Sequence, residues 1–418
     1  MNSRLIVQGG HPLEGTIRNH GAKNSVLPIL AATILNGGEN ILHNCPDLRD
    51  VSSAIEILRH LGCRVERSGS DIFVDSAPMD RWDIPDHLMR EMRSSVMFLG
   101  PILARCGRAH LTFPGGCDIG QRPIDLHLSA LSQMGVEIRE EGGAIDCRCK
   151  APRGGEISLS FPSVGATENI MLFACACPGE TRIINAAREP EIADLEGFLN
   201  CGGAHISGAG EYDILIRKGE KRAVEYTVMA DRMEAATYLC ACAAAGGDLE
   251  ITDTNPGHYT AVAHLLQKAG CRIESEESRI RIWAPKRLKS IELIRTMPYP
   301  GFPTDAQSPL MAALCLAEGT SLFSENIFEN RYRHCGELCR MGANIRVEGR
   351  VAAVKGVEKL HGAAVRATDL RGGAAMVIAA LAAEGCTEIT EIEHIDRGYE
   401  EIEKVFARVG GNIIRENI

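Results

Sequence analysis

The sequence lacks three features that would assign it to a specialised class of protein. It has no excess of positive charge, because 45 Lys and Arg residues face 55 Asp and Glu residues and leave a formal net charge of −10. General nucleic-acid and anionic-membrane binders usually carry a basic face, so we expect neither kind of partner. No apolar run approaches the roughly 18 residues of a membrane helix, and the opening segment MNSRLIVQGG has no apolar core of a signal peptide. These absences favour a cytoplasmic protein.

The sequence also lacks any C-x-x-C pair, although it contains 16 cysteines. Zinc sites normally need closely spaced Cys or His ligands that come together from two places in the chain. Most of these cysteines lie in Ala- and Leu-rich stretches such as residues 238–245, where a thiol behaves as a small apolar side chain. The pattern therefore favours reduced thiols in a cytosolic setting and predicts no metal site.

The most informative feature that the sequence does contain is a repeat that occurs six times. Its first pattern is an Ala-rich apolar segment that ends in glycine and precedes a strand-like stretch, at intervals of 66–72 residues. These glycines are Gly38, Gly107, Gly179, Gly247, Gly319 and Gly385. The second pattern is an apolar helical turn, a glycine and a short strand, at intervals of 67–73 residues. Its glycines are Gly62, Gly135, Gly203, Gly270, Gly342 and Gly410. A helix followed by glycine and a strand is common by itself. Two such patterns that recur at nearly the same interval indicate a true repeat.

Each repeat is interpreted as helix, strand, helix and strand, which is an α/β unit too large for a solenoid. At roughly 100–200 residues per domain, the chain fits two domains of three repeats each. The charged stretch at residues 217–223 lies between the third and fourth repeats and is the natural boundary. The sequence therefore predicts an α/β protein with two domains.

Polar residues open the first helix of every repeat. They are Lys23-Asn24, Arg93-Ser94, Thr167-Glu168, Asp231-Arg232, Thr304-Asp305, and Asp369 with Arg371. Ser, Thr, Asn and Asp are ordinary N-caps, but cations oppose the helix dipole at this end. Their presence indicates an anion bound between them. We expect the helix starts to converge on a cleft between the domains that binds a ligand with phosphate and carboxylate groups.

One loop departs from the repeat, at residues 113–125. Its three glycines and two prolines predict a defined, exposed loop, and it carries Cys117, Arg122 and Asp125. Because no apolar run surrounds Cys117, its thiol is available as a nucleophile or proton donor. An incidental surface cysteine is the alternative at this point.

Three further polar segments lie late in the chain. Residues 298–307 form a Pro- and Gly-rich turn that delivers Asp305 to a helix start, where helix capping is the alternative function. Two later loops place Arg331 and Arg397 after strands. Arg binds carboxylate and phosphate in two-point contacts, whereas a structural salt bridge is the alternative for each.

Eight segments, in order from about Val7 to Tyr399, resemble the motif set of the UDP-N-acetylglucosamine enolpyruvyl transferase family. They are GAKNSVLPILAATIL, PGGCDIGQRPIDLHL, SVGATENIM, NAAREPEIADL, YPGFPTDAQ, IFENRY, DLRGGAA and HIDRGYE. The resemblance implies two inside-out, barrel-like α/β domains of three repeats, residues 22–229 and residues 1–21 with 230–418, with the active site in the cleft between them. It implies transfer of the enolpyruvyl group of phosphoenolpyruvate to the 3′-hydroxyl of UDP-N-acetylglucosamine, the first committed step of peptidoglycan precursor synthesis. It also implies that no metal or organic cofactor is needed, and a monomer is compatible with it.

The resemblance also assigns roles to particular residues. The proposed catalytic pair is Cys117, the general acid toward the methylene carbon, and Asp305, the base at the sugar hydroxyl. Residues matched to phosphoenolpyruvate binding are Lys23, Asn24, Arg122, Arg331, Arg371 and Arg397, with Asp369 beside them. Residues matched to the nucleotide sugar are Arg93, Arg122, Pro123, Ile124, Asp125, Leu126, Ser163, Val164, Asp305 and Ile327.

Two residues depart from the family pattern. Asp118 follows Cys117 directly, and a neighbouring carboxylate would raise the pKa of the thiol and slow its reactions as a thiolate, including that with fosfomycin. His20 replaces a small residue near Lys23. Two alternatives remain open, the related shikimate-pathway enolpyruvyl transferase and a non-catalytic paralogue that only binds nucleotide sugar.

Overall fold

The computed structural model describes residues 3–113 and 124–417, which divide into two compact units. The first unit comprises residues 21–113 and 124–229, and the second comprises residues 3–20 and 230–417. The described chain opens within the second unit with β1 (Ser3–Gln8) and β2 (Leu13–Arg18).

The first unit contains three repeats of helix and strand. The first repeat is α1 (Lys23–Ala32), β3 (Glu39–His43), α2 (Arg49–His60), β4 (Arg64–Ser68) and β5 (Asp71–Asp75). The second is β6 (Asp83–Ile84), α3 (Asp86–Glu91), the 3-10 helix Arg93–Phe98, α4 (Leu99–Cys106), β7 (Arg108–Thr112), α5 (Asp125–Gln133), β8 (Glu137–Glu141) and β9 (Ala144–Arg148). The third is β10 (Glu156–Ser158), α6 (Val164–Ala174), β11 (Glu180–Ile184), α7 (Pro190–Cys201), β12 (His205–Ser207) and β13 (Asp213–Arg217), followed by β14 (Val224–Thr227).

The second unit repeats this arrangement. Its first repeat is α8 (Arg232–Ala245), β15 (Gly247–Thr252), the 3-10 helix Pro256–Tyr259, α9 (Thr260–Lys268), β16 (Arg272–Ser275) and β17 (Arg279–Trp283). The next is β18 (Leu293–Arg295), the 3-10 turn Thr304–Ala306, α10 (Gln307–Leu314), β19 (Thr320–Ser324), α11 (His334–Arg340), β20 (Asn344–Glu348) and β21 (Val351–Lys355). The last is β22 (Ala364–Arg366), α12 (Leu370–Ala382), β23 (Cys386–Thr390), the 3-10 turn Ile392–His394, α13 (Ile402–Arg408) and β24 (Asn412–Asn417).

Each repeat forms a four-stranded sheet with one and the same strand pattern. An outer strand runs parallel to its neighbour, and the next two pairings are antiparallel, as in β6-β7-β9-β8 and β18-β19-β21-β20. The common pattern confirms the predicted α/β class with two domains of three repeats.

Three sheets are completed by strands from a distant part of the chain. In the first sheet of the second unit, β2 runs parallel to β15. In the last sheet, β1 lies between β23 and β24, with Leu5 opposite both Ile389 and Arg415. In the first sheet, β14 runs parallel to β3. Because β14 follows the charged stretch at residues 217–223, the chain leaves the first unit only after residue 229.

The inner helices of both units are buried on nearly all sides. In α12 every residue from Arg371 to Leu381 is buried, as expected for a helix that is apolar all round. Small side chains let α8, α10 and α12 pack against one another. Cys240 and Cys242 lie fully buried in α8, and burial raises the pKa of Cys242 to about 12. No helix in the described ranges is long and apolar enough to span a membrane.

Candidate active site

Aspartates stand at the starts of the three inner helices of the second unit. Asp231 caps α8, with its Oδ1 accepting from the amides of Met233 and Glu234 at 2.7 and 3.0 Å. Asp369 caps α12 in the same way. Asp231 and Asp369 are therefore helix caps, while Asp305 has a different set of partners.

The carboxylate of Asp305 is held by two buried guanidiniums. Arg331 Nη2 donates to Oδ1 at 2.8 Å, and Arg371 donates to Oδ2 from Nη2 at 3.1 Å and from Nε at 3.2 Å. The side chains of Arg331 and Arg371 are 3% and 2% exposed, whereas that of Asp305 is 27% exposed. The carboxylate is thus fixed by charge-assisted bonds while part of it stays accessible.

Arg371 is itself oriented by a buried tyrosine. Its Nη1 donates to the hydroxyl oxygen of Tyr399 at 2.9 Å, and that hydroxyl lies 2.8 Å from Thr237 Oγ1. Burial disfavours the charged guanidinium, but Tyr399 and Asp305 outweigh it and raise the pKa of Arg371. Tyr399 lies in the HIDRGYE motif, but no feature of that motif predicted this role for it.

Arg331 is anchored through its backbone by His334, the first residue of α11. His334 Nδ1 lies 3.1 Å from the carbonyl oxygen of Arg331, and the imidazole is fully buried. Burial lowers the pKa of His334 to about 4, against the opposing effect of Asp369. The imidazole is therefore neutral, since a charged one would face the buried Arg331 guanidinium. Arg331 also approaches Asp369, with Nη1 4.0 Å from Oδ1.

In the first unit, Lys23 begins α1 and contacts a buried carboxylate. Its Nζ lies 2.6 Å from Asp50 Oδ2, and the two side chains are 9% and 2% exposed. The first turn of α1 contains no acidic residue, and Ala22 at its N-cap offers no side-chain cap. Asn24 follows in the first turn and is partly exposed. The sequence did not indicate Asp50, which lies in a different helix.

Two segments matched to the nucleotide sugar lie together in the first unit. Ser163 caps α6, which starts at Val164, and its Oγ accepts from the amide of Ala166 at 3.4 Å. The other segment is Ile124 to Leu126 at the start of α5, where Ile124 is buried and Asp125 exposed. The helices pack together, and a Cβ built on Gly165 would lie 3.0 Å from the His127 ring.

Several predicted site residues are not among those just described. Cys117, Asp118, Arg122 and Pro123 lie outside the described residues. Arg93 begins a 3-10 helix, but its side chain is not part of the described structure. In the second unit, Arg397 is partly exposed beside buried Gly398, and Ile327 is partly exposed after β19.

His20, the other departure from the family pattern, belongs to the second unit and pairs with Glu234. Its Nδ1 lies 2.9 Å from Glu234 Oε1, and its amide donates to Oε2 at 2.9 Å. The bond to Glu234 raises the pKa of His20. Across residues 3–113 and 124–417, no group of three or more His, Cys, Asp or Glu side chains is placed to hold a metal ion.

Comparison with solved structures identifies the class of protein. The enolpyruvyl transferase NikO from Streptomyces tendae matches with a TM-score of 0.90 at 26% identity, covering 100% of this chain and 99% of that one. EPSP synthase from Acinetobacter baumannii matches with a TM-score of 0.75 at 18% identity over both full chains, which shows the fold alone. The fold is that of the enolpyruvyl transferases.

Sequence comparison then identifies the family. Residues 7–406 match the family described as EPSP synthase (3-phosphoshikimate 1-carboxyvinyltransferase). UDP-N-acetylglucosamine 1-carboxyvinyltransferase 2 of Caldanaerobacter subterraneus subsp. tengcongensis is 52% identical over 413 residues, covering 99% of each chain. The UDP-N-acetylglucosamine 1-carboxyvinyltransferase of Geobacter metallireducens is 46% identical over 413 residues, again covering 99% of each. The chain therefore belongs to the UDP-N-acetylglucosamine 1-carboxyvinyltransferase family, within the wider EPSP synthase family, which confirms the resemblance seen in the motifs.

Proposed function

We propose that this protein transfers the enolpyruvyl group of phosphoenolpyruvate to the 3′-hydroxyl of UDP-N-acetylglucosamine and releases phosphate. Relatives of nearly the same length, 44–52% identical, carry the name of this activity. The structural observation that supports it most directly is Asp305, a partly exposed carboxylate fixed by Arg331 and Arg371. The reaction would begin the synthesis of peptidoglycan precursors.

The proposed reaction is an addition followed by an elimination. The sugar hydroxyl adds to the central carbon of phosphoenolpyruvate, while a proton adds to its methylene carbon and gives a tetrahedral intermediate. Loss of phosphate and of a proton from the new methyl group then restores the double bond. The addition needs a base and an acid, and we assign these roles to Asp305 and Cys117.

The tetrahedral intermediate keeps a carboxylate and a phosphate on one carbon. Fixed cations in a water-poor site stabilise such charges better than bulk water does. We assign this role to Lys23, Arg122, Arg331, Arg371 and Arg397. Asn24 would bind phosphoenolpyruvate, and Asp369 would support Arg331. Arg331 and Arg371 are pre-oriented for this role, because both are buried and bonded to Asp305.

The nucleotide sugar is assigned to residues at helix starts and in loops. They are Arg93, Arg122, Pro123, Ile124, Asp125, Leu126, Ser163, Val164 and Ile327, together with Asp305. The proposal divides the chain into functional domains at residues 22–229 and at residues 1–21 with 230–418. Because both substrates carry phosphate groups that do not cross membranes unaided, we place the enzyme in the cytoplasm.

Phosphate release from phosphoenolpyruvate tests the proposal with three acceptor conditions. We expect release with UDP-N-acetylglucosamine, and none with shikimate 3-phosphate or without acceptor. Release with shikimate 3-phosphate would move the protein to the activity named for the wider family. Binding of the nucleotide sugar without any release would favour the non-catalytic alternative.

Two matched substitutions test the role of Asp305. Asp305→Asn should lower kcat by about 10²-fold or more, because an amide cannot accept the hydroxyl proton. Asp231→Asn is the control, since Asn caps a helix as well as Asp does, and it should lose much less activity than Asp305→Asn. Equal losses in the two variants would remove Asp305 from the role of base.

A further inference from the structure

Two segments with proposed site residues are joined by one buried carboxylate, that of Glu325. The first segment is the turn Thr304–Ala306, which contains the proposed base Asp305. The second is the loop after β19, which contains Ile327 and Arg331. Glu325 follows β19 directly, and it is 1% exposed.

The two carboxylate oxygens of Glu325 serve different segments. Oε2 accepts from the Thr304 hydroxyl at 3.0 Å, next to Asp305 in the chain. Oε1 accepts from the amides of Ile327 and Phe328 at 2.8 and 3.1 Å, and from the Thr296 hydroxyl at 2.9 Å. One rigid group therefore sets the positions of both segments.

No cation forms an ion pair with Glu325 within the described parts of the chain. Burying a carboxylate without a cation is costly unless hydrogen-bond donors replace the water that it loses. Two hydroxyls and two amides supply these bonds here, and three of the four donors, Thr304, Ile327 and Phe328, lie in the two segments with proposed site residues. The arrangement gives little gain in stability over an apolar side chain, but it fixes two segments to one point.

We propose that Glu325 is a positioning residue with two separable effects on the reaction. Through Oε2 and Thr304 it places Asp305 against the sugar hydroxyl, and through Oε1 it places the Ile327 loop against the nucleotide sugar. This inference rests on the proposed function of Asp305 and Ile327. Displacing a reacting group by about 1 Å can cost roughly 10²-fold in rate, so both effects are measurable.

Thr304 isolates the Oε2 contact. Thr304→Val has nearly the same shape and removes only the hydroxyl, so the Asp305 turn loses its bond to Glu325 while Oε1 keeps its bonds. We expect kcat to fall by about tenfold, with the KM for UDP-N-acetylglucosamine within about twofold of the wild type. Thr304→Ser is the matched control, because it keeps the hydroxyl and should restore kcat.

Glu325 itself separates hydrogen bonding from charge. Glu325→Gln keeps an acceptor for the Ile327 and Phe328 amides, and its NH2 group can donate to the Thr304 hydroxyl, so activity should stay within about threefold of the wild type. Glu325→Ala removes the bonds from this carboxylate to both segments. It should lower kcat by about 10²-fold and also raise the KM for UDP-N-acetylglucosamine by about tenfold.

Steady-state kinetics on all four variants, with thermal unfolding as a check on folding, tests the proposal. Normal kcat and KM in Thr304→Val and Glu325→Ala, accompanied only by lower melting temperatures, would overturn it, because that pattern denotes a purely structural residue. Absence of turnover in the wild type would instead refute the proposed function. Hydrogen exchange then still tests the Oε1 contact, because Glu325→Ala must speed exchange of the Ile327 and Phe328 amides, and unchanged exchange would overturn the inference.

Discussion

The neutral, buried imidazole of His334 makes the stability of the second unit depend on pH. Its pKa in the folded protein is lowered by burial to about 4, against 6.5 for a free side chain. Between these values the unfolded chain takes up a proton that the folded chain does not, so stability present above pH 6.5 is lost as the pH falls toward 4. Between pH 7 and about pH 5, protonation of this single group should lower the free energy of unfolding by about 2 kcal/mol.

The perturbation is His334→Asn, which keeps a donor for the Arg331 carbonyl but cannot take up a proton. The assay is urea unfolding at the two pH values, followed by the fluorescence of Trp283, which lies in the second unit. A Trp82→Phe background removes the signal of the first unit from both proteins. On acidification from pH 7 to about pH 5, the free energy of unfolding of the wild type should fall by about 2 kcal/mol more than that of the variant. Equal losses would show that His334 is not held neutral by burial, and the reasoning would fail.

Three further predictions concern other parts of the structure. Arg371→Lys should lower kcat/KM by about 10²-fold, because a lysine cannot contact Asp305 and Tyr399 together. Tyr399→Phe should lower kcat/KM by about tenfold, because it removes only the hydroxyl. Equal effects of the two substitutions in steady-state assays would contradict this ranking. Lys23→Ala should destabilise the first unit by about 3 kcal/mol in urea unfolding. The substitution removes the ammonium group that lies 2.6 Å from the buried Asp50 carboxylate. The double variant with Asp50→Ala should regain most of that loss, and no recovery would exclude this cause. Brief iodoacetamide treatment of the folded protein, read by peptide mass spectrometry, should label exposed thiols before the buried ones, whose pKa is raised. The exposed thiols of the described residues are Cys201, Cys339 and Cys386. Equally rapid labelling of Cys240, in the middle of α8, would contradict the burial of that helix.

The repeat architecture could be predicted from the sequence because its signals are local. Glycine after a helix, an apolar run and a short strand all lie within a few residues of one another, and their period gave six units. The strands that complete the outer repeats could not be predicted in this way. Pairing of β1 with β23 and of β14 with β3 joins segments that are far apart in the chain, and no local pattern marks the partner.

The candidate site shows the same division between local and distant information. Polar residues at the helix starts could be seen in the sequence, with capping by Ser, Thr, Asn or Asp as the ordinary explanation, and Asp231 and Asp369 are caps in the structure. The sequence left Asp305 open between a cap and a functional carboxylate, since its partners Arg331 and Arg371 lie 26 and 66 residues away. Residues whose role is to hold others carry no motif of their own. Glu325 and Asp50 were therefore missed, and Tyr399 was noticed only as part of a motif.

The central claim is transfer of an enolpyruvyl group to the sugar 3′-oxygen through an intermediate that carries a methyl group. Its most direct test is NMR spectroscopy of the product formed from phosphoenolpyruvate and UDP-N-acetylglucosamine in D2O. We predict an enolpyruvyl ether on the 3′-oxygen, with deuterium from the solvent in its methylene group, because the added proton comes from an exchangeable acid. A product without deuterium, or with the group on another oxygen, would contradict the proposed chemistry.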